Sequence, residues 1–222
     1  MAGLPTQAWP HALAQHGVVP IAVLDQTDCA LRLGRTLTEA GLPLIEVTLR
    51  TAVAIDSIRN LRAACPDLLV GAGTVLDVAQ AAAAHAAGAQ FLVAPGYSAA
   101  VVAWAAAAGV PMLPGVLTPT EAQRAFAAGV RTVKVYPVGA VGGASYLRAL
   151  GSVLPQMRCV PSGGIDAANL AEYLAQPNVA ACGGSWLVDR ALLAAGRFDE
   201  IGRRVRQAVE IVQRARSMAV AS

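Results

Sequence analysis

The chain has 222 residues, of which 55% are hydrophobic and 14% charged, and its net charge at pH 7 is +3. This length suits one domain of the larger kind, and the apolar fraction is enough for a core and excludes a disordered chain. The small positive charge is not gathered into a basic run, and aromatic residues make up only 5% of the chain. A nucleic-acid-binding surface is therefore not expected.

Metal centres and membrane spans are not expected either. The cysteines and histidines are scattered without metal-ligand spacing, which also argues against a disulfide framework. From Val78 to Thr120 the sequence has no Asp, Glu, Lys or Arg, but glycines and prolines divide this stretch into pieces shorter than the about 20 apolar residues of a span. The first residues, Met-Ala-Gly-Leu-Pro, do not read as a secretory signal, which predicts a cytoplasmic protein. The scattered residues are Cys29, Cys65, Cys159, Cys182, His11, His16 and His85.

A short pattern recurs along the chain: the small-residue end of a helix, a glycine, and then an apolar run. Gly88, Gly109 and Gly129 follow one another at intervals of 21 and 20 residues, and Gly41 lies about two intervals before Gly88. Each glycine suits the left-handed conformation that ends many helices. A helix followed by a strand every twenty-odd residues is typical of parallel βα repeats.

This pattern predicts a complete set of elements. Strands are expected at about 18–24, 44–49, 69–73, 91–95, 111–114, 131–136, 158–162 and 179–183. Helices are expected at about 9–16, 28–40, 52–64, 77–87, 98–108, 119–128, 143–151, 166–175 and 198–216. The expected helix caps are Asp28, Asp77, Ser98, Thr118 and Asp166.

Eight parallel strands that alternate with helices predict an α/β fold, a single (β/α)₈ TIM barrel with an extra N-terminal helix. We expect one domain over residues 1–222, with its core at about 10–205. An open doubly wound sheet is the alternative, but it requires a glycine-rich nucleotide turn after the first strand. The segment from Leu24 to Asp28 is not such a turn.

The second strand is expected to turn polar residues inward. Since side chains alternate along a strand, Glu46, Thr48 and Arg50 share one face, and Ile45 and its apolar partners share the other. The apolar face suits packing under helices, so the carboxylate and the guanidinium are predicted to point into the barrel. A structural ion pair between Glu46 and Arg50 is one interpretation. A functional site is the other, because catalytic residues of such barrels lie at the carboxyl ends of the strands.

The sixth strand contains the only lysine of the chain, Lys134, although Lys and Arg together number 17. Val133 and Val135 occupy the helix-facing side, so Lys134 and Tyr136 are expected to face inward. Burial favours the neutral amine, which is the nucleophilic form. The alternatives are a lysine whose head reaches solvent and a leftover surface lysine in an arginine-rich protein.

Two glycine-rich turns follow the last two strands. They are Ser162-Gly163-Gly164 after the seventh strand and Gly183-Gly184-Ser185 after the eighth. Barrels bind phosphate at these positions through bare backbone N–H groups. Either turn alone is more often a plain tight turn, but together they indicate an anion site.

Seven motifs in order resemble one known family. They are Glu46-Val-Thr-Leu-Arg50-Thr51, Gly71-Ala-Gly-Thr74-Val-Leu, Pro95-Gly96, Leu113-Pro-Gly115-Val, Lys134-Val-Tyr-Pro137, Pro161-Ser-Gly-Gly-Ile165 and Gly183-Gly-Ser-Trp186. Over about residues 10–205 the sequence closely resembles the 2-keto-3-deoxy-6-phosphogluconate (KDPG) aldolases, which include the 4-hydroxy-2-oxoglutarate (KHG) aldolases. The resemblance implies a metal-free class I aldolase with no cofactor, a small 2-keto acid substrate and a homotrimer.

The resemblance also implies a role for each matching residue. Lys134 would form the Schiff base, and Glu46 would be the general acid and base. The implied substrate-binding residues are Arg50 and Thr74 for the carboxylate, Pro95 and Tyr136 for the pocket wall, and Ser162, Gly163, Gly164, Gly184 and Ser185 for the phosphate.

The sequence departs from the family pattern at two places. Many relatives have Phe-Phe-Pro-Ala after the lysine, where this chain has Val-Tyr136-Pro-Val, and Ser162 replaces a threonine. Serine keeps the hydroxyl, whereas the added phenol of Tyr136 leaves the preferred substrate open. Three other functions compete: a phosphate-binding barrel isomerase or synthase, a non-catalytic sugar-phosphate binder, and a metal-dependent pyruvate aldolase.

Overall fold

A computed structural model describes residues 8–220 of the chain. Within this range ten α-helices alternate with nine short strands, and all strand pairs are parallel. The strands are β1 (Val18–Ala22), β2 (Leu44–Thr48), β3 (Leu69–Gly73), β4 (Leu92–Val93), β5 (Met112–Leu113), β6 (Gly115–Val116), β7 (Thr132–Val135), β8 (Arg158–Pro161) and β9 (Cys182–Gly184). The helices are α1 (Ala8–His16), α2 (Thr27–Glu39), α3 (Ala54–Ala64), α4 (Val78–Ala86), α5 (Ala99–Ala108), α6 (Pro119–Ala127), α7 (Gly143–Val153), α8 (Leu170–Leu174), α9 (Arg190–Ala194) and α10 (Phe198–Val220).

The alternation of helices and strands follows the prediction, but the expectation of a closed eight-stranded TIM barrel is wrong. The strands form two separate sheets, a six-stranded one in the order β5-β4-β3-β2-β1-β9 and a three-stranded one in the order β6-β7-β8. No ladder of strand pairs joins the two sheets within the described residues.

The two gaps between the sheets have local causes. The predicted fifth strand, at about 111–114, forms only as β5, and it stops before Pro114, which has no N–H to donate to a neighbouring strand. Strand β5 pairs with β4, whereas β6, which begins just after Pro114 and was not predicted, pairs with β7. At the other gap, β8 and the segment before β9 share a single isolated bridge between Cys159 and Val179.

The two sheets share one interior. A cluster of buried apolar side chains takes members from both sheets and from α1, and a second, larger cluster lies between the sheets and the helices. In β2, Ile45 and Val47 belong to the larger cluster, and Val133 and Val135 do so in β7. The predicted alternation is therefore confirmed within the strands themselves, as far as Thr48 in β2 and Val135 in β7. The inner cluster consists of Trp9, Leu13, Val19, Leu44, Phe91, Val93, Leu113, Val160 and Ala181.

Three of the five predicted helix caps are confirmed. The side chains of Asp77, Ser98 and Thr118 each accept a hydrogen bond from the backbone N–H three residues on. Asp28 instead lies inside α2, which begins one residue earlier. Asp166 caps a turn, not α8, because its carboxylate accepts from the N–H groups of Ala168 and Asn169 and the helix begins at Leu170. Helix α9 was not predicted from the sequence.

The start of α6 is a complete capping box. Glu121 Oε2 accepts from the N–H groups of Leu117 and Thr118, both at 2.8 Å, while Thr118 Oγ1 accepts from the Glu121 N–H at 3.3 Å. The hydrogen bond from Leu117 is the largest of the effects that lower the pKa of Glu121 below its usual 4.5. The carboxylate of Glu121 thus satisfies the N–H groups before the helix, and the hydroxyl of Thr118 satisfies the N–H of Glu121 in its first turn.

This cap makes stability depend on pH. Because the pKa of Glu121 is lowered in the folded protein, its contribution is complete above about pH 4.5 and is lost as the pH falls through the lowered value. We expect Thr118→Ala to reduce the free energy of unfolding by about 1 kcal/mol at pH 7. Urea denaturation should give a lower free energy of unfolding for Glu121→Gln than for the parent at pH 7. This difference should shrink below pH 4. A difference that grows on acidification would contradict the assignment.

Candidate active site

An amine and a carboxylate meet in the interior between the two sheets. Lys134 Nζ on β7 lies 3.4 Å from Glu46 Oε1 on β2. Both residues are buried, with 8% of Lys134 and 3% of Glu46 exposed. The predicted inward orientation of both side chains is confirmed, and the amine is not an isolated one. The snorkelling and surface alternatives for this lysine are excluded.

The position of the Glu46 carboxylate depends on a missing side chain in the adjacent strand. A Cβ built on Gly73 would lie 2.1 Å from Glu46 Oε1, so only glycine leaves room for the carboxylate. Two residues earlier, Gly71 does the same for an aromatic ring, because a Cβ there would lie 2.2 Å from the ring of Phe91. Both glycines belong to the motif Gly71-Ala-Gly-Thr74-Val-Leu, but this role involves residues outside the motif and is not visible in the motif itself.

Two hydroxyl groups hold β2 against the end of β1. Thr48 is buried, and its hydroxyl donates a 3.0 Å hydrogen bond to the carbonyl of Ala22. Just beyond the strand, the hydroxyl of Thr51 donates to the carbonyl of Leu24 at 2.6 Å. The inward-facing Thr48 is thereby engaged with the backbone, and these bonds fix the strand that contains Glu46.

Arg50 is not part of the buried pair. Strand β2 ends at Thr48, so Arg50 lies in the turn beyond it and is exposed. In the described residues the ion-pair partner of Glu46 is Lys134, and Arg50 forms no ion pair. The interpretation of Glu46 and Arg50 as a structural ion pair is therefore wrong. Arg50 remains at the carboxyl end of β2, on the rim of the interior.

Thr74 and Pro95 follow the ends of β3 and β4. Thr74 has φ = 59°, the only positive φ of a non-glycine residue in the described chain, and β-branched side chains are strongly disfavoured there. Strain of this kind persists where the surrounding structure imposes it, most often at functional sites. Pro95 is half-buried, and its carbonyl would lie 2.1 Å from a Cβ on Gly115, so glycine at 115 is needed for this close approach.

Tyr136 lies beyond the end of β7, not inside the fold. The strand stops at Val135, and 44% of Tyr136 is exposed, so the inward orientation predicted for it is wrong. Its ring centroid is 5.7 Å from Lys134 Nζ, which places the aromatic face above the amine. The phenol ring therefore forms part of the opening to the buried pair.

The two glycine-rich turns lie side by side. Ser162 is buried, and a Cβ on Gly183 would lie 2.9 Å from Ser162 Oγ, so the two strand ends touch here. Gly163 and Gly164 both have positive φ, 88° and 83°, which side chains rarely adopt. Within the described chain their N–H groups donate to no residue. Such exposed amides are suited to an anion.

Gly184 and Ser185 complete the second turn. Gly184 is the last residue of β9 and is buried, whereas Ser185 is exposed and begins a short 3₁₀ turn that ends at Val188. The indole of Trp186 lies against Gly184, where a Cβ would come within 2.6 Å of the ring. All the residues that the sequence singled out for the phosphate thus lie at the ends of two neighbouring segments.

The thiols of Cys159 on β8 and Cys182 on β9 do not compete with Lys134 as nucleophiles. Burial raises the pKa of Cys159 to about 12, and burial also raises the pKa of Cys182. Both thiols therefore stay protonated near neutral pH, and a thiol is a far weaker nucleophile than a thiolate.

Within residues 8–220 there is no cluster of three or more His, Cys, Asp or Glu side chains that could hold a metal ion. In that range no helix is both long and apolar enough to cross a bilayer.

Comparison with known proteins agrees with this arrangement. Residues 11–204 match the model of the KDPG and KHG aldolase family. The chain belongs to this family. The resemblance seen in the seven sequence motifs is thereby confirmed.

Individual relatives cover nearly the whole chain. A 2-dehydro-3-deoxy-phosphogluconate aldolase from Treponema pallidum is 44% identical over 201 residues, which cover 90% of this chain and 96% of that protein. One from Haemophilus influenzae is 40% identical over 208 residues, covering 94% and 98%. A crystal structure of the Legionella pneumophila KDPG aldolase, with pyruvate captured at low pH as a covalent carbinolamine intermediate, matches with a TM-score of 0.87 at 35% identity, covering 90% and 97%.

The space at Gly73 can be tested directly. We expect Gly73→Ala to displace the Glu46 carboxylate and to lower aldolase turnover by about 10²-fold, since small misplacements of a reacting group have effects of this size. The measurement is kcat for KDPG cleavage, with urea denaturation to confirm that the variant is folded. Gly202→Ala on α10 is the matched control, because its Cβ would meet only side-chain atoms at 3.3 Å and beyond. Equal turnover in the two variants would contradict the argument.

Proposed function

We propose that the protein is a class I aldolase in which Lys134 forms a Schiff base with 2-keto acids. The reaction is the reversible cleavage of KDPG to pyruvate and glyceraldehyde 3-phosphate, and also of 4-hydroxy-2-oxoglutarate to pyruvate and glyoxylate. The observation that carries the proposal is the burial of the only lysine of the chain 3.4 Å from a carboxylate. The pyruvate carbinolamine captured in the Legionella pneumophila relative supports it.

The first half of the reaction forms the iminium. Glu46 lies within reach of Lys134 Nζ and takes a proton from the ammonium, which leaves a neutral amine. The amine adds to the C2 carbonyl of the substrate to give a carbinolamine. Protonation of the carbinolamine hydroxyl by Glu46 then releases water, and the nitrogen becomes a positively charged iminium.

The second half breaks the carbon–carbon bond. Glu46, through a water molecule, removes the proton of the C4 hydroxyl, and the C3–C4 bonding electrons move towards the iminium nitrogen. The aldehyde leaves and an enamine remains on Lys134. Protonation at C3 restores the iminium, and hydrolysis releases pyruvate and the free amine. Protons and electrons balance without an oxidant, a metal or an organic cofactor.

The groups at the rim position the substrate. We assign the substrate carboxylate to Arg50 and Thr74, because an exposed guanidinium beyond β2 can form two parallel hydrogen bonds to a carboxylate. Pro95 and Tyr136 line the opening above the amine. A carboxylate held at the rim directs C2 towards Lys134 Nζ below it.

The phosphate site is assigned to the two glycine-rich turns. The N–H groups of Gly163 and Gly164, with the hydroxyl of Ser162, supply donors at one turn. Gly184 and Ser185 are assigned to the other end of the site, where β9 passes into a short 3₁₀ turn. This site would recognise the phosphorylated end of KDPG.

Two parts of the proposal concern the whole molecule. A homotrimer is implied by the family resemblance, and light scattering of the purified protein measures its mass directly. A cytoplasmic location remains a prediction from the sequence.

Reductive trapping tests the Schiff base. Incubation with pyruvate and borohydride should give a single adduct, which peptide mapping should place on Lys134. Lys134→Met should form none on this peptide, since no other lysine is present in the chain. An adduct found only on the N-terminal amine of the parent would contradict the Schiff base. If Lys134→Arg kept activity and formed no adduct, a phosphate-binding isomerase or synthase without lysine chemistry would be favoured instead. Binding of the sugar phosphate without turnover would favour a non-catalytic binding protein.

The role of Glu46 is tested by Glu46→Gln. Proton transfer by a placed carboxylate is worth about 10²–10⁴-fold in rate, and kcat for KDPG cleavage should fall by that order. The variant should still bind substrate, since the amide fills the same space. Full activity in Glu46→Gln would show that another group moves the proton.

Ser162→Ala tests the phosphate assignment. A hydrogen bond to a charged group is worth about 1.5–3 kcal/mol, so the KM for KDPG should rise about 10- to 100-fold. The KM for 4-hydroxy-2-oxoglutarate, which has no phosphate, should stay within about twofold of its original value. Steady-state kinetics with both substrates make the comparison, and equal effects on both would place Ser162 elsewhere in the reaction.

A further inference from the structure

The floor beneath Lys134 is closed by an aromatic stack, formed by Trp9 of α1 and Phe91, which comes just before β4. Their ring centroids are 4.0 Å apart and the rings are inclined by 23°. Only 4% of Trp9 is exposed, and Phe91 is fully buried. Gly71 on β3 leaves the space into which the Phe91 ring fits. The stack therefore has a fixed place in the interior.

Trp9 separates two spaces. On one side is an open groove of about 240 Å³ at the amino ends of the strands, lined by residues such as Pro111 and Arg131. On the other side is a small internal cavity of about 10 Å³, lined by Glu46 and Lys134. Of the residues that line these two spaces, Trp9 is the only one common to both.

The amino ends of the strands are opposite to the side from which substrate arrives. Arg50, Tyr136 and the glycine-rich turns all follow the carboxyl ends of their strands. The groove instead borders the beginnings of β5 and β7, at Met112 and Thr132. Removal of the indole would connect this groove to the cavity under the amine and so give water a second path to the reacting nitrogen.

We propose that Trp9 is a positioning residue for the aldolase reaction, a plug that keeps solvent away from the underside of the Lys134–Glu46 pair. This rests on the function proposed above. A dry floor strengthens the interaction of the two groups, because charges interact more strongly where water is excluded. It also protects the iminium from premature hydrolysis, because water then reaches it only from the side on which substrate enters.

The plug requires the size and shape of an aromatic ring, not the indole N–H. Trp9 Nε1 has no hydrogen-bond partner within the described chain. A phenylalanine at this position can still stack on Phe91 and loses no hydrogen bond to residues 8–220. Trp9→Phe should therefore behave like the parent, whereas Trp9→Leu and Trp9→Ala should open the floor to increasing extents.

The experiment compares carbon–carbon cleavage with exchange of the pyruvate carbonyl oxygen in ¹⁸O-labelled water. Each cycle of iminium formation and hydrolysis exchanges this oxygen, and Lys134→Met corrects for uncatalysed exchange. In Trp9→Leu and Trp9→Ala we expect kcat for KDPG cleavage to fall by up to about 10²-fold and the ratio of exchange to cleavage to rise. Added indole, which refills the space in Trp9→Ala, should restore both values in a saturable way.

The matched control is Leu33→Ala on α2, a buried position in the cluster between the sheets and the helices. All variants are assayed at a temperature at which urea denaturation shows them to be folded, and Trp9→Leu carries the test where Trp9→Ala does not fold. An exchange ratio that rises only in the Trp9 variants supports the plug. An unchanged ratio, or the same change in Leu33→Ala, overturns it.

The failure of the plug is distinct from the failure of the aldolase proposal. The parent protein must first form the borohydride-trapped pyruvate adduct on Lys134. If it does, and the Trp9 variants keep the parental kcat and exchange ratio, the plug is wrong and the aldolase reaction stands. If the parent forms no adduct, the aldolase proposal fails, and the plug fails with it.

Discussion

Burying an ammonium beside a carboxylate removes both charges from water, and their attraction offsets that loss only with close geometry. The pair of Lys134 and Glu46 is built under this constraint, since its two members come from different sheets and meet at 3.4 Å. Much of the surrounding interior serves to keep them there. Hydroxyl groups tie β2 to β1, Gly73 leaves the space for the carboxylate, and apolar side chains fill the rest.

The pair also explains why a reaction of this kind suits the interior. In the proposed reaction, a proton that moves from Nζ to Oε1 changes both groups from charged to neutral, so neither has to be hydrated during the step. The same carboxylate then serves dehydration and bond cleavage in that proposal. In the same proposal, the exposed groups at the rim meet a charged substrate that arrives from water, and they remain hydrated until it binds.

The sequence predicts that Glu46 and Lys134 both face inward, though not that they pair with each other, because alternation along a strand is a local property. Val133 and Val135 fix the orientation of the residue between them, and Ile45 and Val47 do the same for Glu46. The residues at which strands end are harder to predict from the sequence. Arg50 and Tyr136 continue the alternating pattern by one more residue pair, but the backbone has already turned at both places.

Features that depend on neighbouring strands could not be predicted from one segment alone. Gly73 matters because the side chain of Glu46 reaches diagonally across to it, and this is set by the register that pairs Glu46 with Gly71 and Thr48 with Gly73. The prediction of a closed barrel was wrong for a similar reason. The repeat predicts strands in sequence, but Pro114 and the single bridge at Cys159 decide whether neighbouring strands join.

The burial of the only lysine has a consequence for the chemistry of the whole surface. The cationic side chains exposed to solvent are arginines, which do not acylate or form imines under mild conditions. Apart from the terminal amine, reagents directed at primary amines therefore have one possible target. The fraction of protein that reacts therefore measures how accessible Lys134 is. A ligand that occupies the opening is detectable as protection from labelling.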